Sequence, residues 1–357
     1  MNELETILSR TEALVRIDSP TGSEGEVAKW LADQLTPWHP HALIAAKNSV
    51  CVVPRAPRPG AMTLMLLGHT DTVPKLSENP VRREGDKLYG LGTSDMKAAL
   101  AVMLAACERA RTMESKHDLV CVFYGGEEGS YAESEMPAIH AAAKEWFDRT
   151  DLAICMEPTD GQVQLGCLGT AHAEVTFLGK RAHSARPWQG ENAIHKAAEL
   201  LARLASARPV EHIFHGLLFQ EVVSATLAEC KGARNVIPDR FWLNLNYRFA
   251  PGKDAPTVRA DLAALIRGQA ELEITDYSPA GMVCGDNPLL AELRAAAGNP
   301  VVCAKQAWTD VGRLSHLGID AINWGPGATA QAHQAGECVS IAAIAESWRV
   351  LSRWLFP

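Results

Sequence analysis

Apolar and polar positions follow two different rhythms along this chain. AMTLMLLGHTD, LVCVFY and DLAICMEPTD are short, nearly uninterrupted apolar runs. Runs of this kind read as strands buried on both faces, because no polar face interrupts them. Between them, LGTSDMKAALAVMLAACERA reads as a glycine-rich turn feeding a long helix, and EMPAIHAAAKEW as a further helix. Leu4, Ile7, Leu8, Leu14 and Val15 recur at helical spacing near the N-terminus. Thr21-x-x-Glu24 then has the form of a capping box opening a second helix. Toward the C-terminus, TDVGRLSHLG predicts a helix with Thr309 or Asp310 as its N-cap. AINWGPG predicts a strand and turn, and SIAAIAESWRVLSRWL a final amphipathic helix. Alternation of this style implies an α/β domain around a mostly parallel sheet.

The middle of the chain changes rhythm. HAEVTFLGKRAHSA (172–185) begins with strand-like alternation, and NAIHKAAELLARLASA (192–207) is an amphipathic helix. VVSATLAEC (222–230) and FWLNLNYRF (241–249) read as strands. In the second, Phe241, Leu243, Leu245, Tyr247 and Phe249 share one face. TVRADLAALIRG predicts a helix and ELEITDYS a strand. The order is β-α-β-β-α-β, a ferredoxin-like module with helices on one face of an antiparallel sheet. This implies two domains: a split domain over residues 1–168 and 280–357, and an insert over 169–279.

Composition narrows the picture. With 357 residues and 47% hydrophobic content, the chain can bury a sizeable core. A net charge of -8 argues against nucleic acid as a partner. The apolar run AALAVMLAAC is too short to span a bilayer, and the N-terminus lacks a signal-peptide pattern. The expectation is a cytoplasmic protein without a membrane partner. Nine cysteines with no CxxC pair read as reduced, mostly buried thiols.

The candidate chemistry sits where strands end. His69 ends one run, Glu128 comes after the next, and Glu157 after a third. Asp95 lies in a glycine-rich turn and His333 in a late loop. In open α/β sheets, ligands bind beyond the carboxyl ends of the strands. Two histidines and three carboxylates suit zinc, with cobalt or manganese as alternatives. Five ligands exceed one catalytic site and fit two metals sharing a carboxylate, about 3.5–4 Å apart. Asp95, short and lying in a turn made glycine-rich by Gly90 and Gly92, is the best bridge. If strand geometry continued past His69, Asp71 would point the same way and hold the imidazole N–H. Two cations also explain the adjacent acids of FYGGEEGS: one ligates, and the other is left to deprotonate a metal-held water.

The stretches LLGHTDTVP, LYGLGTSDMKAALAVML, FYGGEEGS, CMEPTD, LGKRAHSARP, NVIPD and AHQAGE together resemble the M20 family of dinuclear zinc peptidases and deacylases. The resemblance implies a zinc-peptidase-like catalytic domain and an inserted lid through which the protein forms a homodimer. It implies that His69 and Glu157 hold one zinc, Glu128 and His333 the other, and Asp95 bridges. Glu127 is then the general base and Asp71 the orienting acid. His183, from the insert of the partner subunit, steadies the oxyanion, and Asn235 and Arg248 grip a substrate carboxylate. The run GTAHAEVTFLGKRAHSARPWQGENAIHK is similar to the desuccinylase branch, which implies a small anionic N-acyl amino acid as substrate, N-succinyl-diaminopimelate first.

The chain departs from the family pattern in places. Gly126 stands where the family usually has Asp, Leu91 where an Arg is common, and Cys167 and Leu168 where many desuccinylases carry two arginines. An anionic substrate needs cationic or N–H partners. Arg181, Arg186, Arg234 and Arg248 are candidates, as are the amides of the turn at Thr309. Rival expectations are acetylornithine deacetylation, dipeptidase or carboxypeptidase activity and, from another class, a non-enzymatic metal-dependent binding protein.

Overall fold

The computed structural model describes residues 2–75 and 77–357. The chain divides into two compact units. One comprises Met1–Gly166, Val283–Cys303 and Thr309–Pro357, and the other Cys167–Met282 and Ala304–Trp308.

The first unit is built on one sheet of eight strands. These are β1 (Ala42–Ala46), β2 (Ser49–Val53), β3 (Thr63–His69), β4 (Asp118–Tyr124), β5 (Leu152–Cys155), β6 (Val163–Leu165), β7 (Val302–Ala304) and β8 (Ala321–Asn323). Their order is β1-β2-β4-β3-β5-β8-β6-β7. The centre, β4-β3-β5-β8, is parallel. β1, β2 and β6 pair antiparallel, so the sheet is mixed around a parallel core.

All seven residues of β3 are buried, as its unbroken apolar run requires. The helix Ala98–Thr112 packs on β3 and β4. Gly68 permits that approach, because a Cβ there would lie 2.5 Å from Met96 Cε and 2.7 Å from Leu100 Cδ2. Register places His69 opposite Tyr124 and Leu67 opposite Cys155. The three apolar runs therefore end at one edge of the sheet, and the residues beyond the end of each run are delivered to that edge.

The second unit carries a five-stranded antiparallel sheet in the order Val210–Phe214, Leu217–Glu229, Arg240–Phe249, Gly169–Leu178, Glu271–Ser278. Phe241, Leu243, Leu245, Tyr247 and Phe249 are all buried on one face. They pack with Ala197, Leu200, Val258, Leu262 and Ile266 of the helices. The ferredoxin-like order is present with an added edge strand that the sequence reading lacked. Val210–Phe214 pairs with a strand that begins at Leu217, five residues before the expected Val222. His215 and Gly216 make the two-residue turn, both at positive φ (49° and 79°). The helix expected over 192–207 is interrupted at Ala197, giving Ala193–Lys196 and Ala198–Ser206.

Two expected caps do not form. Thr21 caps nothing: the second helix, Gly25–Leu35, starts after Glu24 without a side-chain cap, and Thr21 Oγ1 donates to Asp71. Asp310 occupies the N-cap position of Val311–His316, yet its carboxylate serves Tyr124 and Arg313 instead. The final helix, Ile341–Leu355, is capped by Ser340, whose Oγ accepts from the Ala343 N–H. All nine cysteines are free, and six are buried. Among the described residues, no helix is long and apolar enough to cross a membrane.

Candidate metal centre

The first unit gathers the acids and imidazoles that the sequence singled out. Three groups of possible ligand atoms fall within 4.8 Å of one another: His69 with Asp95 and Glu157, Asp95 with Glu128 and His333, and His69 with Glu127 and Glu128. The first two share Asp95. His69 Nε2 lies 3.1 Å from Asp95 Oδ1. His333 Nε2 lies 3.0 Å from Glu128 Oε1 and 3.8 Å from Asp95 Oδ2.

The grip on His69 differs from expectation. The strand ends at His69, so its alternation does not extend to Asp71. The Nδ1 atom lies 3.0 Å from the Asp71 carbonyl oxygen, while the carboxylate is 3.6 Å away, beyond hydrogen-bond range. The buried Asp71 carboxylate accepts instead from Thr21 Oγ1 (2.9 Å) and from the backbone N–H groups of Glu127 (3.1 Å) and Glu128 (3.0 Å). It ties the end of β3 to the glutamate turn. Burial pushes its pKa up, but His69 and those two amides prevail and hold it down to about 2.

Glu337 was missed by the sequence reading. It is 1% exposed, and its carboxylate accepts from the backbone N–H groups of Gly92 (2.8 Å), Ser94 (2.7 Å) and Asp95 (3.0 Å). Burial raises its pKa to about 7 despite these bonds. A lone acid in the polar loop AHQAGE carries no local signal for this role. Only the long-range hydrogen bonds reveal it.

The electrostatics call for cations. Burial and the charge of Glu157 push the Glu127 pKa well above the carboxylate range; Glu128 and Asp310 add to this and His69 opposes it. Burial disfavours a charged His69, yet Asp71, Asp95 and Glu157 raise its pKa well above the usual imidazole value. The hydrogen bond to Glu128 raises that of His333 in the same direction. Acids held this close repel one another unless positive charge lies between them. The donor set is imidazole nitrogen and carboxylate oxygen, which fits divalent ions such as zinc. His69, Asp95 and Glu157 could hold one ion and Asp95, Glu128 and His333 another.

The remaining candidates fall elsewhere. Thr309 is in the first unit, buried beside Asp310. His183, Asn235, Arg186 and Arg248 all belong to the second. There Ala182–His183 pairs with Val236–Ile237, and the Ser184 N–H donates to the Asn235 carbonyl at 2.9 Å. The RAHSARP and NVIPD segments are thereby neighbours. His183 and Arg186 are exposed. Half-buried Arg248 donates Nε to Asn246 Oδ1 at 2.9 Å.

Known proteins match this chain in sequence and in fold. The model of peptidase family M20/M25/M40 matches residues 65–356. The chain is 35% identical over 350 residues to succinyl-diaminopimelate desuccinylase of Corynebacterium glutamicum, covering 97% of this chain and 95% of that protein. A tripeptidase from Staphylococcus aureus matches in fold with a TM-score of 0.79 at 17% identity, over 99% of this chain and 98% of that one. A Bacillus subtilis dinuclear metal-binding peptidase from the M20 family matches with a TM-score of 0.74 at 14% identity, over 99% and 97%. With its parallel-centred sheet, its clustered acids and imidazoles and a relative matched over nearly its whole length, the chain belongs to peptidase family M20/M25/M40.

Proposed function

We propose that this chain hydrolyses the amide of N-succinyl-diaminopimelate, releasing succinate and diaminopimelate for lysine and cell-wall synthesis in the cytoplasm. The observation that carries this reading is the 35% identity to a desuccinylase across 97% of the chain. The cluster of His69, Asp95, Glu128, Glu157 and His333 supports it by supplying a site for two divalent ions, zinc by preference. When bound, such ions supply Lewis acidity, lowering the pKa of a water they hold to about 7 and drawing charge from the scissile carbonyl.

The chain's own groups do the proton work. Glu127 takes the proton from the attacking water as oxygen adds to the carbonyl carbon. The same carboxyl returns that proton to the nitrogen as the C–N bond breaks. Its place beside His69 and Glu128 suits it to both steps. Asp71 fixes the Glu127 and Glu128 amides. We assign His183, exchanged across a homodimer formed through the second unit, to the developing oxyanion. Asn235, Arg248, Arg186 and Thr309 are assigned to the substrate's carboxylates.

A second reading, acetylornithine deacetylation or dipeptide cleavage, draws on Cys167 and Leu168. Both are buried and apolar, at positions where the resemblance gives many desuccinylases arginines. Steady-state rates on succinyl-diaminopimelate, acetylornithine and dipeptides, measured side by side with metal stripped and restored, decide between them. Metal-dependent preference for the succinylated substrate is expected. A higher kcat/KM on either rival overturns the assignment, and no turnover of any amide favours a binding protein.

A further inference from the structure

We infer that the buried Asp310–Arg313 ion pair clamps both ends of the Gly125–Ser130 turn and thereby positions Glu127, an inference that rests on Glu127 being the base proposed above. Four contacts carry it. Tyr124, the last residue of β4, donates its hydroxyl to Asp310 Oδ2 at 2.6 Å. Arg313 donates Nε to Asp310 Oδ1 at 2.8 Å. The same guanidinium donates Nη2 to the Tyr131 carbonyl at 3.0 Å. Its carbon also sits 3.7 Å from the centroid of the Tyr131 ring. Tyr124 immediately precedes the turn and Tyr131 immediately succeeds it, so one ion pair holds both flanks.

The pair's chemistry fits positioning better than stabilisation. Asp310 is 0% and Arg313 6% exposed. Burying such a pair costs much of what its attraction returns, and apolar residues of like volume serve stability as well. What the pair supplies is direction. The guanidinium meets an acid and a carbonyl through a rigid planar fork and lays its flat face on a ring, a fixed geometry that an ammonium lacks. The turn needs this, since Gly125 and Gly126 leave its backbone with unusual freedom. Asp71 holds its middle, and Asp310–Arg313 hold its ends.

The test uses Arg313→Lys and Tyr124→Phe in the metal-loaded, full-length protein. Each is expected to lower kcat roughly ten- to hundredfold, the scale of an ångström-level misplacement. KM should stay within about twofold, because the loss falls on the transition state. In the Glu127→Gln background, neither change should lower the residual rate further. Independently of activity, hydrogen exchange across residues 125–131 in metal-stripped protein should be faster in Arg313→Lys than in wild type. A lowered Tm with wild-type kcat makes the pair merely structural and overturns the inference, as do multiplicative losses in the Glu127→Gln background. Full activity of Glu127→Gln itself would remove the base assignment and the clamp with it. Loss there alongside wild-type rates in both clamp variants removes the clamp alone.

Discussion

The backbone N–H of Asp95 donates to Glu337 Oε1 at 3.0 Å across 242 residues of sequence. The same carboxylate takes the N–H groups of Gly92 and Ser94, so the turn that presents Asp95 is moulded on a buried acid. Glu337→Ala leaves those amides without an acceptor. Supporting groups around metal ligands are typically worth 10–100-fold in metal affinity, and about that loss is expected. Glu337→Gln keeps one acceptor oxygen and should lose less. Competition with a chelator, with circular dichroism to verify the fold, reads this directly. Unchanged affinity in Glu337→Ala would show that the turn holds itself.

Glu127→Gln fills the same space with no basic oxygen. Metal stoichiometry should be retained while kcat falls about 10²–10⁴-fold, the usual contribution of a general base. Elemental analysis and turnover on one preparation separate these effects. Loss of metal along with activity would make Glu127 a ligand instead.

Gly126 sits at φ +77°, and a Cβ there would fall 2.8 Å from the Glu133 carbonyl oxygen. The neighbour is backbone and has little room to yield. Gly126→Ala should therefore destabilise the protein by about 1–3 kcal/mol and displace the glutamate pair. Denaturant melts and kcat test both parts. A variant with wild-type stability would mean that the turn relaxes freely.

Acid sensitivity is expected away from the centre. Burial acts to raise the pKa of Glu292, but Trp354 Nε1 (2.9 Å), His117 Nε2 (2.6 Å) and Lys116 Nζ (3.0 Å) hold it down to about 2. A carboxyl depressed on folding stabilises above its unfolded pKa, and that contribution is lost as pH falls through the folded value. Glu292→Gln should thus cost about 1 kcal/mol at pH 7, solvent screening included. The gap from wild type should close between roughly pH 4.5 and pH 2. A gap independent of pH would place the loss in packing.

The strands and the site's location were legible for the same reason. AMTLMLLGHTD and LVCVFY are mostly apolar because both faces of β3 and β4 are covered. Parallel neighbours must end at a common edge, which brings His69, Glu128 and Glu157 close before any side chain is placed. FWLNLNYRF announced its buried face by strict alternation. Val210–Phe214 was not legible, because an edge strand with exposed Val210 and Ile213 has no burial pattern to display. Thr21 and Asp310 matched the local grammar of helix caps, and both were drawn to partners far along the chain.

The sequence alone determined which segments are buried and on which face, since periodicity is the imprint of burial on a chain with fixed residue spacing. It also determined the kinds of donor atoms available. Only the tertiary structure decided which hydrogen bonds each polar side chain makes. A carboxylate or hydroxyl can satisfy several partners almost equally well, and packing of remote segments settles which of them comes within reach. That is why the positions of His69 and Glu128 could be read from the chain, whereas the hold of Asp71, Glu337 and Asp310 upon the turns around them could not.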